Sequence, residues 1–372
     1  MKLILIIESM YLKGGGAEKT ISIMANYWAS KGEDITILAF DRDKNQQSFF
    51  KLNSNVKLKI IGNGKEVIPF LHKLLPGKFL NRIFAVKKIL NSEQPDAVIS
   101  FMDITNIFSI FASKLSNIPI IISDRNNPVK NKIRIYWKWL RQIAYPMADK
   151  LIVLTKEQIQ CYPQNIKNIS GTIPCIIEPP VFEKPIMQFE NPFILSVGRL
   201  RKQKGHDLLI TAFKKITNKY PQWKLIIIGE GVRRKNLEKQ IQELKLQDKI
   251  FLPGCVNNPQ NIIKQADFFV FPSRWEGLGN ALLEAMSCGI PVIATDCDFG
   301  PKSYVRNNID GLIIKSEDVN ALANALEMLI NDEKLRETYG KNAKDILNRF
   351  NLGKIMPLWN NMIQKVIKSK QK

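Results

Sequence analysis

Two histidines, five scattered cysteines and the lack of any long apolar run set the first limits on this 372-residue chain. His72 and His206 are too far apart in sequence to pair in a local motif, which argues against histidine-based metal sites and Ser-His-Asp chemistry. The cysteines, at 161, 175, 255, 288 and 297, are odd in number and lack C-x-x-C spacing, so reduced thiols are expected. No apolar stretch reaches the length of a spanning helix. The first residues enter a strand directly, with no signal peptide's cationic start and cleavage site, so a cytoplasmic protein is expected. Acidic residues are scarce as well, 34 against 55 basic ones, for a formal charge of +21. The imbalance is local: residues 51 to 150 hold 17 basic and 6 acidic side chains, whereas residues 1 to 50 balance. Such a field favours an anionic partner, whether nucleic acid, an acidic membrane or phosphates.

Hydrophobic content of 45% suits a soluble protein, and the length exceeds what one core usually serves, so two domains are expected. The division placed on the sequence is 1 to 180, then 181 to 350, with residues 351 to 372 as a helix returning towards the N-terminal domain. The proline-bearing stretch Pro174 to Pro192 reads as the linker.

The stretch from Phe271 to Asp296, FPSRWEGLGNALLEAMSCGIPVIATD, reads as strand, turn, helix, strand. In an open α/β sheet ligands bind beyond the carboxyl ends of the strands, so the turn with Arg274, Glu276 and Gly277 to Gly279 is placed where chemistry would occur. Glycines there let a phosphate approach bare amides at a helix's positive end. Glu284 falls more than a turn into that helix, on a face shared with Asn280 and Ala281, where a carboxylate suits ribose hydroxyls. The plain alternative is an amphipathic helix with solvated glutamates.

The first half begins with strand Leu3 to Ile7, the loop Gly14 to Lys19, a helix through Trp28 and strand Ile35 to Phe40. The loop departs from a Walker A motif at Glu18 and lacks the third glycine of G-x-G-x-x-G, whose place Lys19 takes. Asp41 ends the second strand where a dehydrogenase would hold ribose, which leaves an NAD reading open. Asp41-Arg42-Asp43 and Asp296-Cys297-Asp298 match the D-x-D metal pattern, but such pairs arise readily by chance and no metal is expected.

A basic helix is expected over Lys78 to Leu90, with Lys78 and Arg82 on one face as candidate seats for a diphosphate. Strands follow at Ala97 to Phe101 and Ile120 to Ser123, separated by a helix near Thr105 to Leu115. Lys130 to Tyr145, where bases and large aromatics interleave, fits an interfacial helix that buries Trp137 or Trp139 in a bilayer surface, or an ordinary packed helix with solvated charges. Strand Lys150 to Leu154 reads as the last of the first half. A second alternation follows: strand Phe193 to Val197, loop Gly198 to Gly205, helix His206 to Lys219, strand Lys224 to Ile228, a helix to Leu246 and strand Ile250 to Leu252. The fold class is thus α/β, two doubly wound Rossmann-like domains with a cleft expected between them.

The Gly14 to Lys19 loop, Ser196-Val197-Gly198-Arg199-Leu200 with Lys204-Gly205, Gly229-Glu230-Gly231, Glu276 to Glu284 and Gly289-Ile290-Pro291-Val292 carry a resemblance across nearly the whole chain. In this order and spacing they resemble the retaining, metal-independent glycosyltransferases of the GT-B fold, family 4. Ile99 to Asn106 and Ile121 to Pro128 look like the bacterial members that extend undecaprenyl-diphosphate-linked glycans. The resemblance implies a nucleotide-sugar donor as substrate, a lipid-linked saccharide acceptor, no cofactor or metal, and a peripheral place on the inner face of the cytoplasmic membrane. It assigns Arg199 and Lys204 to the donor diphosphate, Glu284 to the ribose and Glu276 to hydroxyls of the transferred sugar. Around these it places Gly15, Gly16, Gly198, Gly229, Val256, Gly277, Leu278, Gly279, Asn280 and Ala281 on the donor, and Lys19, Asp103 and Arg125 on the acceptor, to which the charge distribution adds Lys78 and Arg82. Many relatives carry histidine where Arg125 stands, and arginine is no general base at neutral pH, so removal of the acceptor proton stays unassigned, with the donor's own phosphate oxygen as one candidate.

Two other classes compete. A nucleic-acid-binding protein would explain the charge but leaves Glu276 and Glu284 misplaced at a phosphate site. A nonenzymatic membrane-surface module would explain Lys130 to Tyr145 but not the glycine-rich second half.

Overall fold

The computed structural model describes residues 1–11, 15–41, 47–62, 78–130, 133–183, 187–190, 192–256 and 258–371. The chain divides into two compact units, Met1–Ile176 with Gly353–Lys372, and Ile177–Leu352.

The first unit contains β1 (Lys2–Ile7), α1 (Gly16–Ser30), β2 (Asp34–Ala39), β3 (Val56–Ile60), α2 (Lys78–Glu93), β4 (Ala97–Phe101) and α3 (Asp103–Leu115). It continues with β5 (Ile120–Ser123), α4 (Ile135–Ala144), β6 (Lys150–Val153), α5 (Lys156–Ile159), α6 (Gln164–Lys167) and β7 (Ser170–Thr172). These strands form one sheet in the order β3-β2-β1-β4-β5-β6-β7, all pairs parallel. The order reverses between β1 and β4. Inner strands are apolar on both faces, because helices cover both faces of a parallel sheet, and Ala97–Phe101 is buried throughout.

Two strands of this unit were not anticipated, and both lie at edges. β3 alternates exposed Lys57 and Lys59 with the more sheltered Val56, Leu58 and Ile60, and β7 is the three residues Ser170–Thr172, so Lys150–Val153 is not the last strand of this half. No helix or strand lies in the described part of Pro174 to Pro192.

The second unit contains β8 (Phe193–Val197), α7 (His206–Ile216), β9 (Lys224–Ile228), α8 (Arg234–Glu243), β10 (Ile250–Gly254), α9 (Gln260–Ile263) and β11 (Phe268–Phe271). Then come α10 (Asn280–Ser287), β12 (Val292–Asp296), β13 (Gly311–Lys315), α11 (Val319–Asn331), α12 (Glu333–Ala343) and α13 (Ile346–Arg349). The sheet runs β10-β9-β8-β11-β12-β13, again parallel, with its reversal between β8 and β11. Both units are therefore doubly wound, each with a switch point where an open α/β sheet receives ligands.

The last helix, α14 (Leu352–Gln371), belongs almost entirely to the first unit. Ile355, Met356, Trp359, Ile363 and Val366 recur at helical spacing and are buried. The Trp28 indole N–H donates to Asn360 Oδ1 at 2.7 Å, which ties α14 to α1.

Candidate functional site

In the second unit the switch point brings the loops after β8 and β11 together. Gly205 has φ +67, and a Cβ there would stand 1.9 Å from the Pro272 carbonyl oxygen, so only glycine permits this approach. The two loops are then laced. The Arg274 backbone N–H donates to the Gln203 carbonyl at 2.7 Å, and the Gln203 side chain donates to the Trp275 carbonyl at 3.0 Å. The Arg274 guanidinium grips both oxygens of Asp207 at 2.8 Å and also donates to the Lys202 carbonyl and to Glu317. Arg274, which the sequence places in the chemical turn, is thus a clamp whose charge is already spent.

What the clamp holds in register is Lys204 against Glu276. The Lys204 Nζ donates to Glu276 Oε1 at 2.7 Å, with side chains 14% and 6% exposed, and Nζ lies 5.0 Å from the Phe271 ring centroid. Beside them Arg199 is exposed at the end of the β8 strand, and its guanidinium has no ion-pair partner among the described residues. Gly229 closes the β9 end: at φ +144 its Cβ would stand 2.0 Å from the Gly198 carbonyl oxygen. Val256 lies two residues past β10 and is half-buried.

The turn from Glu276 to Gly279 leads into α10. Gly279, at φ +90, supplies no capping side chain, so Asn280 and Ala281 open the helix without a side-chain cap. A helix start of this kind favours an anion. Glu284 is on the second turn and half-buried. All the donor residues expected in this half therefore stand at the carboxyl edge of one sheet. The loop after β12 approaches too, since a Cβ on Gly300 would lie 3.3 Å from Glu276 Cβ. Burial, and then the charge of Glu276, push the Cys297 thiol up to about 12, so it stays protonated. His206, first in α7, is buried with Nδ1 unpartnered among the described residues, and desolvation followed by the Lys204 charge lowers its pKa to about 3. Asp296 of the D-x-D pattern is ion-paired with Lys302. Among the described residues no group of three His, Cys, Asp or Glu side chains is arranged to hold a metal ion. A surface cavity of about 500 Å³ opens between Arg306, Lys341 and Lys344 and includes none of these groups.

In the first unit Gly15 caps α1, Gly16 opens it and Lys19 lies in its first turn; Gly14 is outside the described residues. A Cβ at Gly15 would fall 1.9 Å from the Glu18 carboxylate, which is buried. Asp41 accepts from the Ser9 hydroxyl and, at 2.8 Å, from the Met10 backbone N–H. Its carboxylate is engaged in holding the loop after β1, which removes the ground for a ribose-binding NAD site; Arg42 and Asp43 lie outside the described residues.

Asp103 and Arg125 stand at the carboxyl edge of this sheet, and both are buried. Among the described residues Arg125 Nη2 has no hydrogen-bond partner. The pairing of Phe101 with Ser123 sets Asp103 beside Asp124, a juxtaposition invisible in sequence because it depends on strand neighbours. Burial, then the charge and hydrogen bond of Asp103, push the Asp124 carboxyl well above its usual range. Tyr162 and Tyr145 donate to Asp124 at 2.5 and 3.4 Å.

The expected diphosphate seat on α2 needs correction. Arg82 makes two bonds of 2.8 Å to Glu8 and lies 4.6 Å from the Phe40 ring centroid, so its charge is neutralised within the chain. The Lys78 side chain is outside the described residues. Trp137 is also misplaced for a bilayer: its ring packs on Phe79, centroids 5.4 Å apart, whereas Trp139 faces out.

With this geometry in hand, comparison with known proteins is specific. The family described as glycosyl transferases group 1 matches residues 182–346, and glycosyltransferase family 4 matches residues 14–165. The chain is 30% identical to the Campylobacter jejuni GalNAc-alpha-(1->4)-GalNAc-alpha-(1->3)-diNAcBac-PP-undecaprenol alpha-1,4-N-acetyl-D-galactosaminyltransferase, over 98% of this chain and 99% of that protein. It is 29% identical to an Escherichia coli UDP-Gal:alpha-D-GlcNAc-diphosphoundecaprenol alpha-1,3-galactosyltransferase, over 74% and 77%. Among solved structures, sucrose-phosphate synthase from Thermosynechococcus elongatus superposes with a TM-score of 0.83 at 19% identity, covering 99% of each chain. That likeness shows the fold, the paired Rossmann-like domains of GT-B.

Proposed function

The chain belongs to the glycosyl transferases group 1 family and is a glycosyltransferase, and from that premise we propose a retaining enzyme that moves a hexose or N-acetylhexosamine from a UDP-linked donor to a saccharide on undecaprenyl diphosphate. The second unit is the donor domain in this reading, and the first unit, closed by α14, is the acceptor domain. The enzyme works as a peripheral protein on the cytoplasmic face of an anionic membrane, with neither nucleic acid nor metal. Two relatives support the acceptor class, since their names specify diphosphoundecaprenol-type substrates, and the second names a UDP sugar as donor.

The observation that carries the reading is the Lys204–Glu276 pair at the β8–β11 switch, with Arg199 and the uncapped start of α10 beside it. Breaking a sugar–phosphate bond leaves negative charge on the nucleoside diphosphate. Two fixed cations and helix-end amides stabilise that charge as it grows. An ammonium has three donors, so Lys204 is able to meet a phosphate while keeping Glu276. Glu276 then offers its second oxygen to hydroxyls of the transferred sugar, and Glu284 accepts from the ribose. The acceptor hydroxyl loses its proton to the departing phosphate oxygen, and Arg125, with an unpartnered Nη2, meets anionic oxygen on the acceptor side.

A thermal-shift screen against UDP, GDP, ADP and their common sugars tests the donor. Stabilisation by UDP compounds above the others is expected, unchanged by EDTA; a larger shift with GDP or ADP sugars would overturn the UDP assignment.

A further inference from the structure

From Val129 to Met147 the sequence contains no acidic residue and has basic side chains at Lys130, Lys132, Arg134, Lys138 and Arg141. Within it α4 is anchored on one side only. Trp137 meets Phe79, Leu140 packs on the core of the first unit, and Ala144 and Tyr145 are fully buried. Residues four apart on a helix share a face, and the series Ile135, Trp139, Ile143 is 79%, 62% and 43% exposed. Val129 before the helix and Met147 after it are exposed too. The folded chain thus leaves a stripe of large apolar side chains in water, bordered by Arg134 and Lys138, which are also exposed.

We propose that Ile135, Trp139 and Ile143 insert into an anionic lipid surface while Lys130, Arg134 and Lys138 meet its headgroups, holding the first unit against the bilayer. The inference rests on the membrane-surface reading above and names the face that performs it. A second copy of the chain fits poorly, since each copy would bring the same acid-free basic segment to the contact. A bilayer supplies apolar depth and negative charge together, and a helix lying in its interfacial plane requires no refolding of α4.

The test is sedimentation of the full-length protein, without nucleotide or acceptor, with vesicles of phosphatidylcholine alone or mixed equally with phosphatidylglycerol. Binding to the mixed vesicles, weakened by salt and absent from phosphatidylcholine alone, is expected. Ile135→Ser with Trp139→Ser should lower binding about tenfold or more at unchanged melting temperature, because both side chains already face solvent. Arg134→Glu with Lys138→Glu should abolish it. Equal vesicle binding by parent and both variants would overturn the inference, as would a parent dimer that the serine variant dissolves, which would give the face to a second copy. Transfer to a water-soluble, short-chain diphosphate-linked acceptor separates the two proposals. If the parent binds vesicles but never glycosylates that acceptor, the acceptor reading fails and this face stands; glycosylation without vesicle binding removes the face alone.

Discussion

Lys204 and Glu276, 72 residues apart in sequence, form a 2.7 Å ion pair almost out of water. Removing either partner strands a charge, which for a buried pair costs about 3–5 kcal/mol. Lys204→Met and Glu276→Gln should each destabilise the second unit, and the double variant should recover part of that loss, with a coupling of about 1–3 kcal/mol. Urea unfolding of the four proteins measures the coupling; strict additivity would mean that the pair contributes nothing to the fold.

Arg199 is exposed and unpaired among the described residues, so its truncation should leave stability alone. If it meets charge that grows as the bond breaks, Arg199→Ala should reduce kcat roughly ten- to hundredfold, the equivalent of about 1.5–3 kcal/mol. Steady-state kinetics decide it. A rise in KM with kcat unchanged would restrict Arg199 to holding the ground state.

Glu284 occupies the second turn of α10, beyond the uncapped start. Glu284→Ala should weaken UDP binding by roughly ten- to hundredfold, the worth of a charge-assisted bond to ribose hydroxyls. Calorimetry of a folded variant with undiminished UDP affinity would take Glu284 out of the site.

His206 gives a pH signature. Its pKa falls from 6.5 in the open chain to about 3 in the fold, because burial disfavours the cation and Lys204 lies near. The fold keeps the imidazole neutral, so this contribution is fully present above about pH 6.5 and is lost progressively as pH falls towards 3, where the unfolded chain takes up the proton first. Between pH 7 and pH 5 the parent should lose about 2 kcal/mol more than His206→Leu. Paired urea titrations at the two pH values check this, and equal losses would show that the imidazole is not held neutral.

Much of the architecture could be read from sequence because inner strands of parallel sheets are uninterrupted apolar runs. Ala97–Phe101, Ile120–Ser123, Phe193–Val197, Lys224–Ile228 and Phe268–Phe271 appear where the runs predict them. β3, β7 and β13 escaped, all three at sheet edges: Val56–Ile60 interleaves lysines, Ser170–Thr172 has no large apolar residue, and Gly311–Lys315 offers only Leu312 to Ile314 as an apolar run. The site follows the same division. Its glycine turns are local and legible, whereas the clamp of Arg274 on Asp207, the bond of Lys204 to Glu276 and the meeting of Asp103 with Asp124 depend on which strands become neighbours. Arg82 shows the opposite failure, since a cation on a surface helix reads as available until the fold supplies Glu8.

The anomeric configuration of the product decides whether transfer is retaining. The protein would be incubated, with EDTA present, with the α-linked UDP sugar that stabilises it most and with a short-chain polyprenyl-diphosphate saccharide, and the new linkage read by one-bond carbon–proton coupling. Release of UDP and an α-linked product are expected. A β-linked product, or transfer only after a divalent metal is added, would contradict retaining, metal-independent transfer.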